Sequence, residues 1–208
     1  MYLSIPNILW KMAWFAAQHG DTEQLRILIS IGVDIETKCG APVLSTPLQV
    51  TAQHLDISSL KVLLLHGANT EVLDDLGRTA LHVAAFEGRI RTVQLLLEYK
   101  ANVLATAWDG KTALHFAVIK GRIDIIELLV SFGANVSIAD YHGWTSLHYA
   151  SENRPDVVYT LLQHNAIVTP KTKKGETPAD VARKYGNSHI STILEDLERI
   201  ECDCRRIE

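Results

Sequence analysis

The stretch Asp109–Val136, "DGKTALHFAVIKGRIDIIELLVSFGANV", decides the fold, because its Thr112 and His115 can be read in two ways. A threonine and a histidine one helical turn apart are types that catalysis uses, and they are equally types that open and brace a helix. The rest of the stretch supplies the context. Ile123, Ile126, Leu129 and Val130 recur at helical spacing, so Ile123–Ser131 is predicted as a helix with one apolar stripe to bury. Gly121 separates it from a shorter helix over Thr112–Ile119, whose Ala113 and Ala117 allow neighbours to stack closely. Gly133 is placed to end the second helix in the left-handed conformation, and Ala134–Gly143 then runs as an extended, hairpin-like connection.

The same phrase recurs along the chain. "STPLQVTAQ" from Ser45, "RTALHVAAFEG" from Arg78, "KTALHFAVIKG" from Lys111, "WTSLHYASENR" from Trp144 and "ETPADVARKYG" from Glu176 are variants of it. Their threonines, Thr46, Thr79, Thr112, Thr145 and Thr177, are separated by 33, 33, 33 and 32 residues. Several other positions recur in register: the turn glycines Gly77, Gly110, Gly143 and Gly175, the leucines Leu81, Leu114 and Leu147, and the later "LLLHGAN", "LLLEYKAN", "LLVSFGAN" and "LLQHNAI". A period of this length marks a stack of supersecondary units, none of which can bury its own stripe alone.

On these residues the chain resembles the ankyrin-repeat family, whose Thr-Pro-Leu-His signature returns about every 33 residues. The resemblance implies an all-α solenoid of helix-turn-helix units joined by hairpin-like connections. Six repeats are expected, at about 7–39, 40–72, 73–105, 106–138, 139–170 and 171–201, in a single domain spanning 1–208 with a short tail at 202–208. It also implies that Thr79, His82, Thr112, His115, Thr145 and His148 are structural, since no single active site would require them at identical places in three units.

The departures from the phrase carry expectations of their own. Lys100 and Asn165 stand where the glycine after the second helix belongs, and Lys there should cost about 1 kcal/mol. Leu55 and Arg154 replace the glycine between helices, with Pro155 following in a place suited to a first helical turn, so local irregularity is expected. The insertion "CGAPVLS" lengthens the connection before Thr46 by two residues. The apolar N-terminus has no basic segment ahead of its apolar part, and Lys11 interrupts it, so it is read as a first, capping repeat rather than a leader. The charged "EDLERIE" suits a last repeat with a polar outer face.

Bulk properties narrow the function. The formal net charge of -4 supplies no field for nucleic acid. The run at Lys171–Lys174 has neither a long basic stripe nor a stacking platform, so it is read as solvated surface. Three cysteines, two of them Cys202 and Cys204, make a disulfide framework unexpected and point to an intracellular compartment, cytoplasmic or nuclear. No apolar run is long enough to span a bilayer. Phosphate-loop, zinc-protease and nucleophile-elbow motifs are absent, and no metal or cofactor is expected. The chain is read as a non-enzymatic monomer.

The family resemblance places recognition on the concave face, at the hairpin tips and the exposed ends of the inner helices. Here those positions are Asp75, Leu76, Arg78, Phe86 and Glu87; then Trp108, Asp109, Lys111, Ile119 and Lys120; then Tyr141, His142, Trp144, Glu152 and Asn153. The last repeat adds Lys173, Lys174, Glu176, Lys184 and Tyr185. Trp108, Tyr141 and Trp144 at the tips either meet a partner or fold back over their own repeats; as contacts they would be of the types that dominate protein interfaces. Glu36, Glu71, Leu104, Ser137 and Thr169 stand where many family members carry an asparagine that is hydroxylated, so no such hydroxylation is expected. The function expected is a non-catalytic adaptor or scaffold for a protein partner, with an inhibitor or regulatory subunit as the alternative.

Overall fold

The computed structural model describes residues 6–55 and 57–204, and these form twelve α-helices in pairs. The chain divides into two compact units, residues 1–108 and 109–208. The first unit contains α1 (Pro6–His19), α2 (Thr22–Ser30), α3 (Pro47–Thr51), α4 (Ser58–Leu65), α5 (Ala80–Glu87) and α6 (Ile90–Glu98). The second contains α7 (Ala113–Ile119), α8 (Ile123–Ser131), α9 (Ser146–Asn153), α10 (Pro155–Gln163), α11 (Pro178–Lys184) and α12 (Ser188–Cys204). The thiols of Cys202 and Cys204 and the residues after them lie outside what the structure describes.

Each pair forms for the reason the periodicity gives. Leu25, Leu48, Leu60, Leu63, Leu81 and Leu96 are fully buried in the first unit, and Leu114, Ile125, Ile126, Leu129, Leu147 and Leu161 in the second. Each such side chain contributes about 1.5–3 kcal/mol by leaving water. In α8 the stripe is centred on Ile125, Ile126 and Leu129, while Ile123 and Val130 are only half-buried. Inner helices present alanine where they stack, with Ala84, Ala117, Ala150 and Ala182 fully buried.

The predicted exceptions take definite forms. Lys100 and Asn165 adopt the left-handed conformation, with φ of 67° and 59°, in the place that Gly133 fills at 91°. At Arg154 the backbone leaves the helical region (φ -134°, ψ 68°), Pro155 opens α10, and α9 ends without a glycine turn. The carbonyls this leaves are satisfied by the next repeat, as Asn187 Nδ2 donates to Ser151 O at 3.0 Å and Glu152 O at 2.7 Å. The other turn without glycine, at Leu55, receives the same help: Arg89 Nε donates to Gln53 O at 2.8 Å. The insertion before Thr46 is tied at its base by two backbone bonds between Cys39 and Ser45, each 2.9 Å.

Candidate functional site

The Thr-His pairs are buried and bonded to the backbone through Nδ1, and in His82 and His148 through Nε2 as well. Thr79, Thr112 and Thr145 each cap an inner helix, and the histidine three residues later completes a capping box. The threonine N–H donates to Nδ1 at 3.1 Å in all three, which makes Nδ1 an acceptor and leaves the proton on Nε2. That proton reaches the adjoining connection: His82 Nε2 lies 3.0 Å from Ala105 O, and His148 Nε2 lies 3.2 Å from Glu176 O. In the second repeat Gln49 does the same work with one amide, accepting from Thr46 N at 2.8 Å and donating to Val72 O and Arg78 O at 2.7 and 2.9 Å. A glutamine that replaces the histidine bond for bond identifies the position as a brace between units.

The tips are built on buried acceptors. Asp74 accepts from Leu76 N and Arg78 N at 2.9 and 2.8 Å and holds the Arg78 guanidinium at 2.8–2.9 Å. Asp140 does likewise for His142 N and Trp144 N, at 2.8 and 2.9 Å. Ala107 occupies the corresponding place in the intervening repeat, so Lys111 N bonds instead to Asp109 at 3.1 Å. The Lys111 ammonium is held 2.6 Å from Asp109 and 3.7 Å from Asp140, and it lies 5.6 Å from the centre of the Tyr149 ring. Tyr149 donates to Asp140 at 2.6 Å. Burial would raise the Asp140 carboxyl, but the Tyr149 hydroxyl, the Trp144 and His142 N–H groups and the Lys111 charge together hold it below the usual carboxylate range. The same Tyr149 hydroxyl, buried and donating to a carboxylate, is pushed well above its ordinary value.

The aromatics predicted at the tips fall into two kinds. Trp108 and Tyr141 are 64 % and 61 % exposed. Each rests against the glycine of the preceding turn, Trp108 on Gly77 and Tyr141 on Gly110, where an added Cβ would strike the ring. Trp144 is half-buried, because its ring packs against Tyr149 at 5.0 Å and His148 at 5.8 Å between centroids. It covers its own repeat.

Of the other predicted positions in the first unit, Asp75 and Leu76 are exposed at the tip, and Phe86 and Glu87 are half-buried at the end of α5. In the second unit Lys120, His142 and Asn153 are exposed, and Ile119 and Glu152 are half-buried. Lys173 and Lys174 are exposed, Lys184 is paired with Glu176 at 2.8 Å, and Tyr185 is exposed beside Glu152.

A trough of about 270 Å³ in the first unit, not foreseen from the repeat phrase, is lined by Trp14, Gln18, Val50, Gln53, Val83 and Glu87, with Arg78 and residues 41–43 of the inserted loop. Its residues come from three repeats and an insertion. The one available signal was the departure from register before Thr46.

Among the described residues no helix is long and apolar enough to cross a membrane. No curated protein matches the chain. A family model described as ankyrin repeats (3 copies) matches residues 13–107 and 100–172. With the register, the capping boxes and the paired helices, this establishes that the chain belongs to the ankyrin-repeat family.

Proposed function

We propose that this protein is a non-catalytic adaptor or scaffold that binds a protein partner through its hairpin tips and the exposed ends of its inner helices. Ankyrin repeats are generally protein–protein interaction modules and typically lack catalytic activity. The observation that carries the reading is the exposure of Trp108 and Tyr141, large rings propped on glycine turns that need no ring above them to form. Aromatics of this kind are the commonest anchors of protein interfaces, and a rigid seat lowers the entropy lost on binding. The histidines that would tempt an enzymatic reading have both ring nitrogens committed in His82 and His148.

Affinity capture from a cell lysate with the full chain tests this, set beside a Trp108→Ala, Tyr141→Ala variant shown by circular dichroism to be folded. A protein retained by the wild type and lost from the variant supports the reading. Identical captured sets would exclude the tips as the contact. Adding the purified chain to the captured partner's own assay separates a scaffold, which leaves that activity intact, from an inhibitor, which suppresses it.

A further inference from the structure

We propose that the trough of the first unit receives an extended peptide segment of a partner protein in which a lysine or arginine stands next to an aliphatic residue. The proposal rests on the reading that the chain binds proteins, and adds the chemistry of one partner segment and the place where it docks.

The shape is fixed from within. Trp14 is 7 % exposed, its Nε1 donates to Ser45 Oγ at 3.3 Å, and an added Cβ on Gly40 would lie 2.6 Å from its ring. The tie between Cys39 and Ser45 holds Pro42 and Val43 against this floor as one wall, and Val50 and Val83 continue the apolar surface. The volume of about 270 Å³ falls below the roughly 300–1,000 Å³ of enclosed small-molecule sites. The trough is open along one side, so it suits a side chain or two of a strand-like segment rather than an engulfed ligand.

Its polar groups suit a backbone. Among the described residues the Gln18 and Gln53 side chains make no hydrogen bond, although both line the trough. A carboxamide offers a donor and an acceptor together, which is what one peptide unit of an extended segment requires.

Charge selects the side chain. Arg78 lines the trough, but its guanidinium is held by buried Asp74 at 2.8–2.9 Å. Arg89 does not line the trough; its Nε donates to the Gln53 carbonyl at 2.8 Å, on the turn. Glu87 has no ion pair among the described residues, so the uncompensated charge in the trough is negative. Glu87 is also the last residue of α5, where the helix dipole favours a cation. The corresponding residues of the other repeats are His19, His54, Lys120, Asn153 and Tyr185, none of them acidic. A carboxylate held against the dipole and facing a trough of amides and aliphatic groups is matched by a basic residue with an apolar neighbour.

The test uses a positional-scanning library of immobilised octapeptides probed with the full chain, followed by fluorescence anisotropy on the best labelled peptide. The expected consensus has lysine or arginine adjacent to valine, leucine or isoleucine. Glu87→Gln should weaken that peptide about tenfold, as loss of a charged hydrogen bond does, and Glu87→Lys should shift the library preference to acidic peptides. Both variants should melt no lower than the wild type, since each removes an unfavourable charge from a helix C-terminus. Absence of bound peptides, an acidic or purely apolar consensus, or a preference unchanged by Glu87→Lys would overturn the proposal. If the trough fails while lysate capture still depends on Trp108 and Tyr141, the protein-binding reading stands alone. If capture fails too, both fall.

Discussion

Around the inner helices of residues 14–87 the side chains of Gln18, Gln53 and Glu87 make no hydrogen bond or ion pair among the described residues, whereas the polar groups at the tips of residues 109–149 satisfy one another. There Asp109, Lys111, Asp140 and Tyr149 form one network, with Trp144 laid over Tyr149. The same repeat phrase has therefore left polar side chains unanswered in one stretch and satisfied within the chain in the other. A single residue accounts for much of the difference. Ala107 stands where Asp74 and Asp140 serve their own turns, so Lys111 is held by its neighbour Asp109 and by Asp140 of the following repeat. A charge on the surface of a repeat protein signals binding only when nothing within the chain already answers it.

The contrast can be broken most forcefully at Asp140. Asp140→Ala removes the acceptor of two backbone N–H groups and the Tyr149 hydroxyl and leaves Lys111 short of a counter-charge, so urea unfolding should show a loss of about 3 kcal/mol. A loss comparable to an ordinary surface change would mean the network holds nothing. Gly77→Ala comes next. It places a Cβ at φ 72° into the Trp108 ring and should cost about 1–2 kcal/mol, with a shift in tryptophan emission as Trp108 is displaced. Unchanged emission would show that Trp108 is not seated on that turn. Lys100→Gly should raise stability by about 1 kcal/mol by relieving the left-handed lysine, while Asn165→Gly should gain less because asparagine tolerates that conformation.

The smallest effect at neutral pH sharpens the contrast through protons. Burial lowers the His148 pKa despite the Glu176 carbonyl, and burial lowers that of His115 despite the charge of Asp140. For such groups the unfolded chain binds more protons than the folded one as pH falls through about 6.5, so stability should decline from there downward. Asp140 acts at lower pH, because its depressed pKa contributes stability above about 4 that is lost on further acidification. His148→Gln, copying Gln49, should flatten the first decline without abolishing folding, as read from melting temperature between pH 7.5 and 5. An unaltered slope would remove His148 from the account.

Much of this architecture was legible in the sequence, for identifiable reasons. The bounds of α8 followed from an apolar stripe between two glycines, and the left-handed Lys100 and Asn165 followed from register alone. The brace role of the histidines was legible because they recur. What was hidden depended on contacts between residues distant in sequence. Trp108 and Tyr141 share one tip position and rest on the glycine of the preceding turn, whereas Trp144 follows its turn glycine, where Arg78 and Lys111 stand, and packs on Tyr149 five residues later. The trough could not be read because Trp14 belongs to an apolar N-terminal stretch, Pro42 and Val43 to an insertion, and Gln53 to a turn that lacks its glycine. The rescue of the two glycine-free turns by Arg89 and Asn187 was hidden for the same reason.

Amide hydrogen exchange on the full chain, alone and with its captured protein partner, tests the binding role most directly. New protection is expected at the tips around residues 75–78, 108–111 and 141–144 and at the ends of the inner helices, with α6, α8 and α10 unchanged. Protection confined to those second helices, with the tips exchanging as freely as before, would contradict it.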